Sequence, residues 1–588
     1  MIKTAHQLMS TSTLLGLLLT NVCFAQTPEQ EKAAATPSSA QPGYIADKNK
    51  PFNQYTWLTA HNAFSYGNYG GVNSSQSMNL SEQLEKGVRG MMLDLHVKDG
   101  DIYLCHGTCL PGSLKFETAL KNSILPFLRN NRNEVVTLFF EDYSSKEDLQ
   151  KVFSNTPEVA TYIFKPEGWP SGTWPTLAAM INKNERLLIL SSKSGNSGSY
   201  NGGAYVINER ALTVENTYNL GNALLPDDGV HDYDCEKRGE SAELNTAASS
   251  TYKNWPRPFV MNHFHQYTVL GAHSDFDNRF DKILKRDKDH CRSKANRPPS
   301  YIALDYVDKG DAMEYVEWRN NGGVIFYEGD NATQDIVCGI GTQIKRTLNL
   351  QSSDEARMGC ENDEMRSAVL SGIRKGTRIK LYDSPSGDRQ DDYAIIDAKR
   401  DIGIDERVVI SSLETNSDNA DYTIRFLRNN GLNGKVSRIE VDPQPTDFPD
   451  SAIVLYEGGS ASQNIVCTLP LTSSTFVNFK NDGYGCDNDE ARSAKILEAK
   501  AGTTITVYDD PNGGTGDDYT SIRVKKNIQS PRVVGSFESS FSDEYLEVTF
   551  KRKNGLNGKV SSARISAATR AGEASSEAAP PPPEGAKQ

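Results

Sequence analysis

The chain has 588 residues, too many for one hydrophobic core, and a formal net charge of −13 from 63 basic and 76 acidic side chains. That charge argues against a protein that grips nucleic acid through a broad basic surface, but it leaves room for a local site for an anionic substrate. A composition 37% hydrophobic and 24% charged is that of a globular protein, with roughly three or four domains by length.

The N-terminus reads as a secretory signal over 1–25: Lys3 supplies positive charge, "LLGLLLTNV" is too short to span a bilayer, and "CFA" precedes Gln26. Val22 is too large for a usual lipobox before Cys23. No other stretch is apolar enough for a span, so the expectation is an exported, soluble protein. Residues 26–43 are rich in Ala, Pro, Ser and Gln and read as a disordered linker, as does the Pro-rich tail over 568–588.

Residues 44–321 alternate short apolar runs with segments of helical spacing such as "LSEQLEKG". "WLTAHNAF" ends on His61 and Asn62, "GMMLDLH" on Asp94 and His96, and "IYLCHG" on His106. "VVTLFFED" ends on Glu141, "LLILSSK" on Lys193, "FVMNHF" on Asn262 and His263, and "YIALDY" carries Asp305. Strands alternating with helices predict a parallel sheet, and in a closed barrel of such units the strand C-termini converge on one mouth. A single histidine at a strand end is more often structural. So many ionisable groups at strand ends outweigh that reading, because burying each without a partner costs several kcal/mol.

The second half repeats itself. "FYEGDNATQDIVC" at Phe326 returns as "LYEGGSASQNIVC" at Leu455, and "NGLNGKVS" occurs unchanged in both copies. Two all-β modules follow, over 322–445 and 451–567. Eight cysteines remain beyond Cys23, an even number that favours disulfides in an exported chain. Cys338 and Cys360 match Cys467 and Cys486, which predicts one bridge per module. Cys105–Cys109 and Cys235–Cys291 are expected for the first domain, with other connectivities open to the sequence. His263 and His265 either line the mouth or pack the seventh strand. His231, His273 and His290 read as surface groups, and "KRDKD" from Lys285 as a solvated face.

"FNQYTWLTAHNAF", "QLEKGVRGMMLDLHVKDGDIYLCHG", "VVTLFFEDY" and "RLLILSSK" resemble the X-domain of phosphatidylinositol-specific phospholipase C, in particular the exported PLC-like phosphodiesterases of bacteria, fungi and plants. The resemblance implies a TIM-like α/β barrel; the two modules that follow it, with "YDSPSGDRQDDY" and "YDDPNGGTGDDY", separately resemble βγ-crystallin-like Greek-key domains. The phospholipase resemblance implies His61 as general base, His106 as general acid, Asp94 near the phosphate and Asp305 orienting His61. Lys193, Arg89 and His96 are the implied phosphate-binding groups, with a structural ion pair the equal alternative for Arg89. Asn62, Asp94 and Glu141 match three calcium ligands of animal enzymes. Met92 replaces a further carboxylate, and His96 stands where metal-free bacterial enzymes carry arginine. The expectation is therefore a divalent cation, Ca2+, with metal independence as the alternative.

The implied function is a secreted phosphoric diester hydrolase or lyase acting on a phospholipid at a membrane surface. The alternatives are a glycerophosphodiester or sphingomyelin-type phosphodiesterase, or a non-catalytic lipid- or glycan-binding barrel. The presence of both His61 and His106 argues against the last. "NDEMRS" and "NDEARS" resemble the calcium motif of βγ-crystallin-like modules, with arginine at the first expected hydroxyl position. Contact with a surface, glycan or partner is the role expected of the modules.

Overall fold

A computed structural model describes residues 42–568 except 68–73, 222–230, 266–272, 354–356, 389–390, 428–430, 444–450, 482–485, 529–530 and 552–553. The expected signal segment, nearly all of the expected linker and the tail beyond 568 lie outside the described residues. No helix among the described residues is long and apolar enough to cross a membrane.

Eight parallel strands form the first domain: β1 (Trp57–Ala60), β2 (Gly90–Lys98), β3 (Val136–Asp142), β4 (Leu187–Ser191), β5 (Tyr205–Asn208), β6 (Val214–Glu215), β7 (Phe259–Asn262) and β8 (Tyr301–Leu304). Their order across the sheet is β5-β4-β3-β2-β1-β8-β7-β6. β1, β4, β7 and β8 are buried along their whole length, as continuous apolar runs covered on both faces should be. Register is tight at the centre of the sheet. Trp57 lies opposite Tyr301, and Gly90 opposite Thr59, where a Cβ would come within 2.3 Å of the threonine hydroxyl. The glycine of "GVRG" is thus required by strand approach.

The expected barrel is present with one correction: it does not close. Among the described residues no ladder joins β5 to β6. The two strands are separated only by the single helical turn Glu209–Leu212 and Thr213. A parallel neighbour needs a crossover of about a dozen residues, so this link is too short to bring β6 back beside β5. The resulting seam opens onto the C-terminal ends of the strands.

Each repeat folds as two antiparallel sheets around its own apolar core. In the first, Thr333–Gly341, Gly323–Gly329, Ser367–Ser371 and Val408–Ile410 make a four-stranded sheet against a six-stranded one, and the second repeats that order strand for strand. The unchanged "NGLNGKVS" has a local cause. Gly434 and Gly558 adopt φ of +74° and +73°, which favour glycine. Glu414 accepts the Leu432 and Asn433 amides, and Glu538 accepts the matching Leu556 and Asn557 amides. Ser437 and Ser561 donate to Asp363 and Asp489 of the two "NDE" turns. The repeated carboxylates therefore cap turns.

The first module packs on the barrel. Its Ile325 and Val369 join the barrel core, and Glu317 of helix Ala312–Asn321 pairs with Arg346. The modules meet through Tyr382, Tyr393, Leu427, Val454 and Leu497, with Arg378 bridging Asp397 and Glu498 at 2.5 and 2.6 Å. All four expected disulfides are present: Cys105–Cys109, Cys235–Cys291, Cys338–Cys360 and Cys467–Cys486.

Candidate active site

His61 follows β1 directly, and its amide donates to the Leu304 carbonyl at the end of β8. Its Nδ1 lies 2.7 Å from Asp305 Oδ1. An ionised carboxylate only accepts, so in the neutral ring Nδ1 carries the proton and the lone pair is on Nε2. The ring is 23% exposed and stacks on Phe264 at 3.7 Å and 8°; Phe264 in turn stacks on Tyr218. Gln76, fully buried, donates to the carbonyls of His61 and Leu304 and accepts the Val307 amide. It fixes the two strand ends relative to each other. Nothing in the spacing around Gln76 marked it.

His106 has the same arrangement on the other side. Its Nδ1 lies 3.0 Å from Asp94 Oδ2, and its ring is 76% exposed. The flanking Cys105 donates its amide to the Asp94 carbonyl, and the Cys105–Cys109 bridge closes the loop that carries the histidine. The Asp94 hydrogen bond pushes the His106 pKa above its ordinary value, with the charge of Glu141 adding to it. His106 therefore holds a proton more readily than a free imidazole. Burial raises the Asp94 pKa, opposed by His106, and Glu141, directly opposite in register, raises it further.

All eight strand ends contribute to a cleft of about 1080 Å³, through His61, Asn62, Asp94, Glu141, Lys193, Glu209, Glu215, Asn262, Phe264 and Asp305 among others. Lys193 lines it, with Nζ donating to the Ser144 carbonyl at 2.6 Å. Buried Asp142 ties that loop together by accepting from Ser144, Ser191 and Asn196. His265 also lines the cleft, while His263 is buried with Nε2 on the Asp277 carbonyl.

Four expectations need correction. Arg89 is not at the cleft: it pairs with Glu134 at 2.8 Å and donates to the Leu84 and Val88 carbonyls, at the opposite end of β2 from Asp94. That is its structural alternative. His96 is also absent from the lining, because β2 runs on into a hairpin with Asp101–Leu104, where the Tyr143 ring stacks on His96 at 4.4 Å. His231 and His273 are not surface groups; the His231 side chain is wholly buried and His273 nearly so. Arg286 and Asp287 of "KRDKD" are likewise fully buried, Arg286 donating to the Asn262 carbonyl and Asp287 holding Arg292 and Tyr315.

A cation that the sequence did not mark stands at the seam. Arg238 pairs with Glu215 at 2.9 Å and lies 3.8 Å from Glu141. Glu215 also accepts from Asn262, and desolvation pushes the neighbouring Glu209 carboxyl up. In sequence Arg238 sits in "CEKRGE", indistinguishable from a solvated run.

Asn62, Asp94 and Glu141 bring oxygen donors from three adjacent strands to the cleft, the donor type a hard cation takes. In donor chemistry the three match a hard divalent ion such as Ca2+. Glu141 is at the same time engaged by the Tyr143 hydroxyl and by Arg238, so an ion there would compete with a guanidinium.

The fold and site together define an open α/β-barrel protein with two carboxylate-bound imidazoles on one cleft. The PI-PLC X 1 family model matches residues 48–320. A PI-PLC X domain-containing protein of Arabidopsis thaliana is 32% identical over 353 residues, covering 57% of this chain and 72% of that protein. The chain belongs to the PI-PLC X domain family. An uncharacterized secreted protein of Arthroderma benhamiae is 23% identical, over 49% of this chain and 66% of its own length. A solved S. aureus phosphatidylinositol-specific phospholipase C aligns at 13% identity and a TM-score of 0.30, covering 46% of this chain and 94% of its own.

Proposed function

We propose that the protein is an exported phosphodiesterase that cleaves the headgroup phosphodiester of a phospholipid. The observation that carries this reading is the pair of imidazoles on one cleft, each with Nδ1 bound to a carboxylate and Nε2 left for proton transfer. His61 Nε2 takes the proton of an attacking hydroxyl as its oxygen bonds to phosphorus. The bond from phosphorus to the leaving oxygen breaks, and His106 Nε2–H protonates that oxygen. If the nucleophile is a neighbouring hydroxyl of the substrate, the product is a cyclic phosphodiester. Water then opens it with the roles reversed: neutral His106 accepts the proton and His61 returns its own.

Asp305 and Asp94 hold the two rings in the tautomer this exchange needs. Arg238 and Lys193 are the chain's own cations for the charge that builds on the phosphoryl oxygens. Asn62, Asp94 and Glu141 would hold Ca2+, which supplies Lewis-acid charge at the same oxygens when bound. Export is supported by four disulfides, which persist in oxidising compartments.

The test is headgroup release from phosphatidylinositol vesicles and from phosphatidylcholine vesicles, each with and without chelator. Release from phosphatidylinositol, abolished by His61→Ala, is expected. Folded protein that releases neither headgroup refutes the reading. Full activity in chelator removes the cation and leaves Arg238 in its place.

A further inference from the structure

We infer that His231, His265 and Asp277 form a second cation site, of the zinc class, beside the cleft and distinct from the Asn62, Asp94 and Glu141 donor set. One ligand atom from each of the three lies within 4.8 Å of the others. His231 Nε2 is 2.6 Å from Asp277 Oδ1, a hydrogen bond whose proton a bound cation would displace, and His265 Nε2 is 3.2 Å from Asp277 Oδ2. All three side chains are at most 4% exposed.

The hydrogen bonding of His265 points to a ligand. Its Nδ1 lies 2.8 Å from the Gly221 carbonyl, which only accepts, so in the neutral ring the proton is on Nδ1. In that tautomer Nε2 presents a lone pair, buried and aimed at the Asp277 carboxylate 3.2 Å away. Two electron-rich atoms facing each other away from water are stable only with a positive charge between them, a proton or a metal cation. An imidazole that gives its far N–H to a main-chain carbonyl, and its near nitrogen to a shared point, has the layout of a metal ligand.

His263 supports the third ligand by hydrogen bonding to the Asp277 carbonyl. Two imidazoles and one carboxylate suit Zn2+ or Co2+ far better than Ca2+, which takes oxygen ligands. Water or His273, whose ring lies 5.8 Å from that of His265, would complete a tetrahedron. The buried guanidinium of Arg286 is turned to the Asn262 and Asp234 carbonyls.

The site has a consequence for the cleft. His265 is one residue beyond Phe264, whose ring stacks on His61. A cation joining His265 to Asp277 and His231 would pin the exit of β7 and hold that ring in place. Its role would be positional, and its existence does not depend on the phosphodiesterase reading.

The full-length protein, stripped with chelator and dialysed against Zn2+ or Co2+, should bind about one equivalent. The Co2+ form should show the intense visible absorption of a tetrahedral N/O site. Second-sphere changes weaken metal sites about 10–100-fold, so loss of a direct ligand in His265→Gln or Asp277→Asn should cost at least about a hundredfold in affinity. Glu141→Gln should bind as the wild type does. Folded wild type that takes up no Zn2+, or uptake lost in Glu141→Gln and kept in His265→Gln, overturns the assignment. Should the ligand variants fail to fold, anomalous scattering at the zinc edge from crystals of loaded wild type decides it. A peak between His231, His265 and Asp277 is expected, and none there refutes the site.

Discussion

The barrel mouth and the turns of the two β modules are both crowded with carboxylates, yet they use them in opposite ways. In the modules Asp363, Asp489, Asp518, Glu414 and Glu538 accept hydroxyl or main-chain hydrogen bonds and close turns. In the mouth Asp305 and Asp94 face imidazoles, and Glu141 and Glu215 face a guanidinium. A carboxylate that caps backbone contributes to stability alone. One that faces a titrating ring also sets how that ring handles a proton, even where its own burial is costly. The difference lies in the partner and cannot be read from the residue type.

The largest expected break in this comparison comes from the rings themselves. His61→Ala and His106→Ala should each lower turnover by at least about a hundredfold with the fold retained, and their combined loss should fall short of the product. A nitrophenyl phosphodiester, whose leaving group needs little protonation, should restore much of the rate in His106→Ala and none in His61→Ala. The reverse pattern would exchange the two roles.

Asp94→Asn tests the carboxylate instead of the ring. The negative charge of Asp94 favours the proton on His106, so its removal should move the alkaline limb of the pH–rate profile to lower pH. Turnover at neutral pH should fall by roughly ten- to a hundredfold, less than in His106→Ala. The Asp94 carboxyl is itself raised by burial, so its ionised form destabilises the fold above that pKa. The thermal midpoint of Asp94→Asn at neutral pH should therefore equal or exceed that of the wild type. An unmoved alkaline limb would show that His106 is not the acid.

Asp518→Ala should have the opposite signature. It leaves the Asn554 and Gly555 amides without their acceptor and should cost about 1–3 kcal/mol in denaturant unfolding of the second module. Turnover should stay within about twofold of wild type. The smallest effect is expected from ending the chain after residue 445. The first module keeps its own core and its packing on the barrel, so hydrolysis of a soluble diester should be nearly unchanged. Loss of activity in such a folded truncation would show that the second module reaches the chemistry.

The sequence by itself marked six of the eight barrel strands, the repeat, the matched cysteine pair of each module and the candidates His61, Asp94, His106 and Asp305, and it left the pairing of the other cysteines open. Each of these is a local pattern: an apolar run ending in an ionisable group, a repeated string, or a matched cysteine. Only the tertiary structure decided what depends on distant partners. Arg89 could equally bind phosphate or form a structural pair until Glu134 appeared beside it, and Arg238 looked solvated until the fold set it between Glu215 and Glu141. His231 looked exposed until Asp277, 46 residues away, enclosed it. The open seam is the instructive case. The length of the link between β5 and β6 is written in the chain, but that these two strands end the sheet emerges only once all eight have paired, because hydrogen-bonded neighbours are chosen across the whole domain.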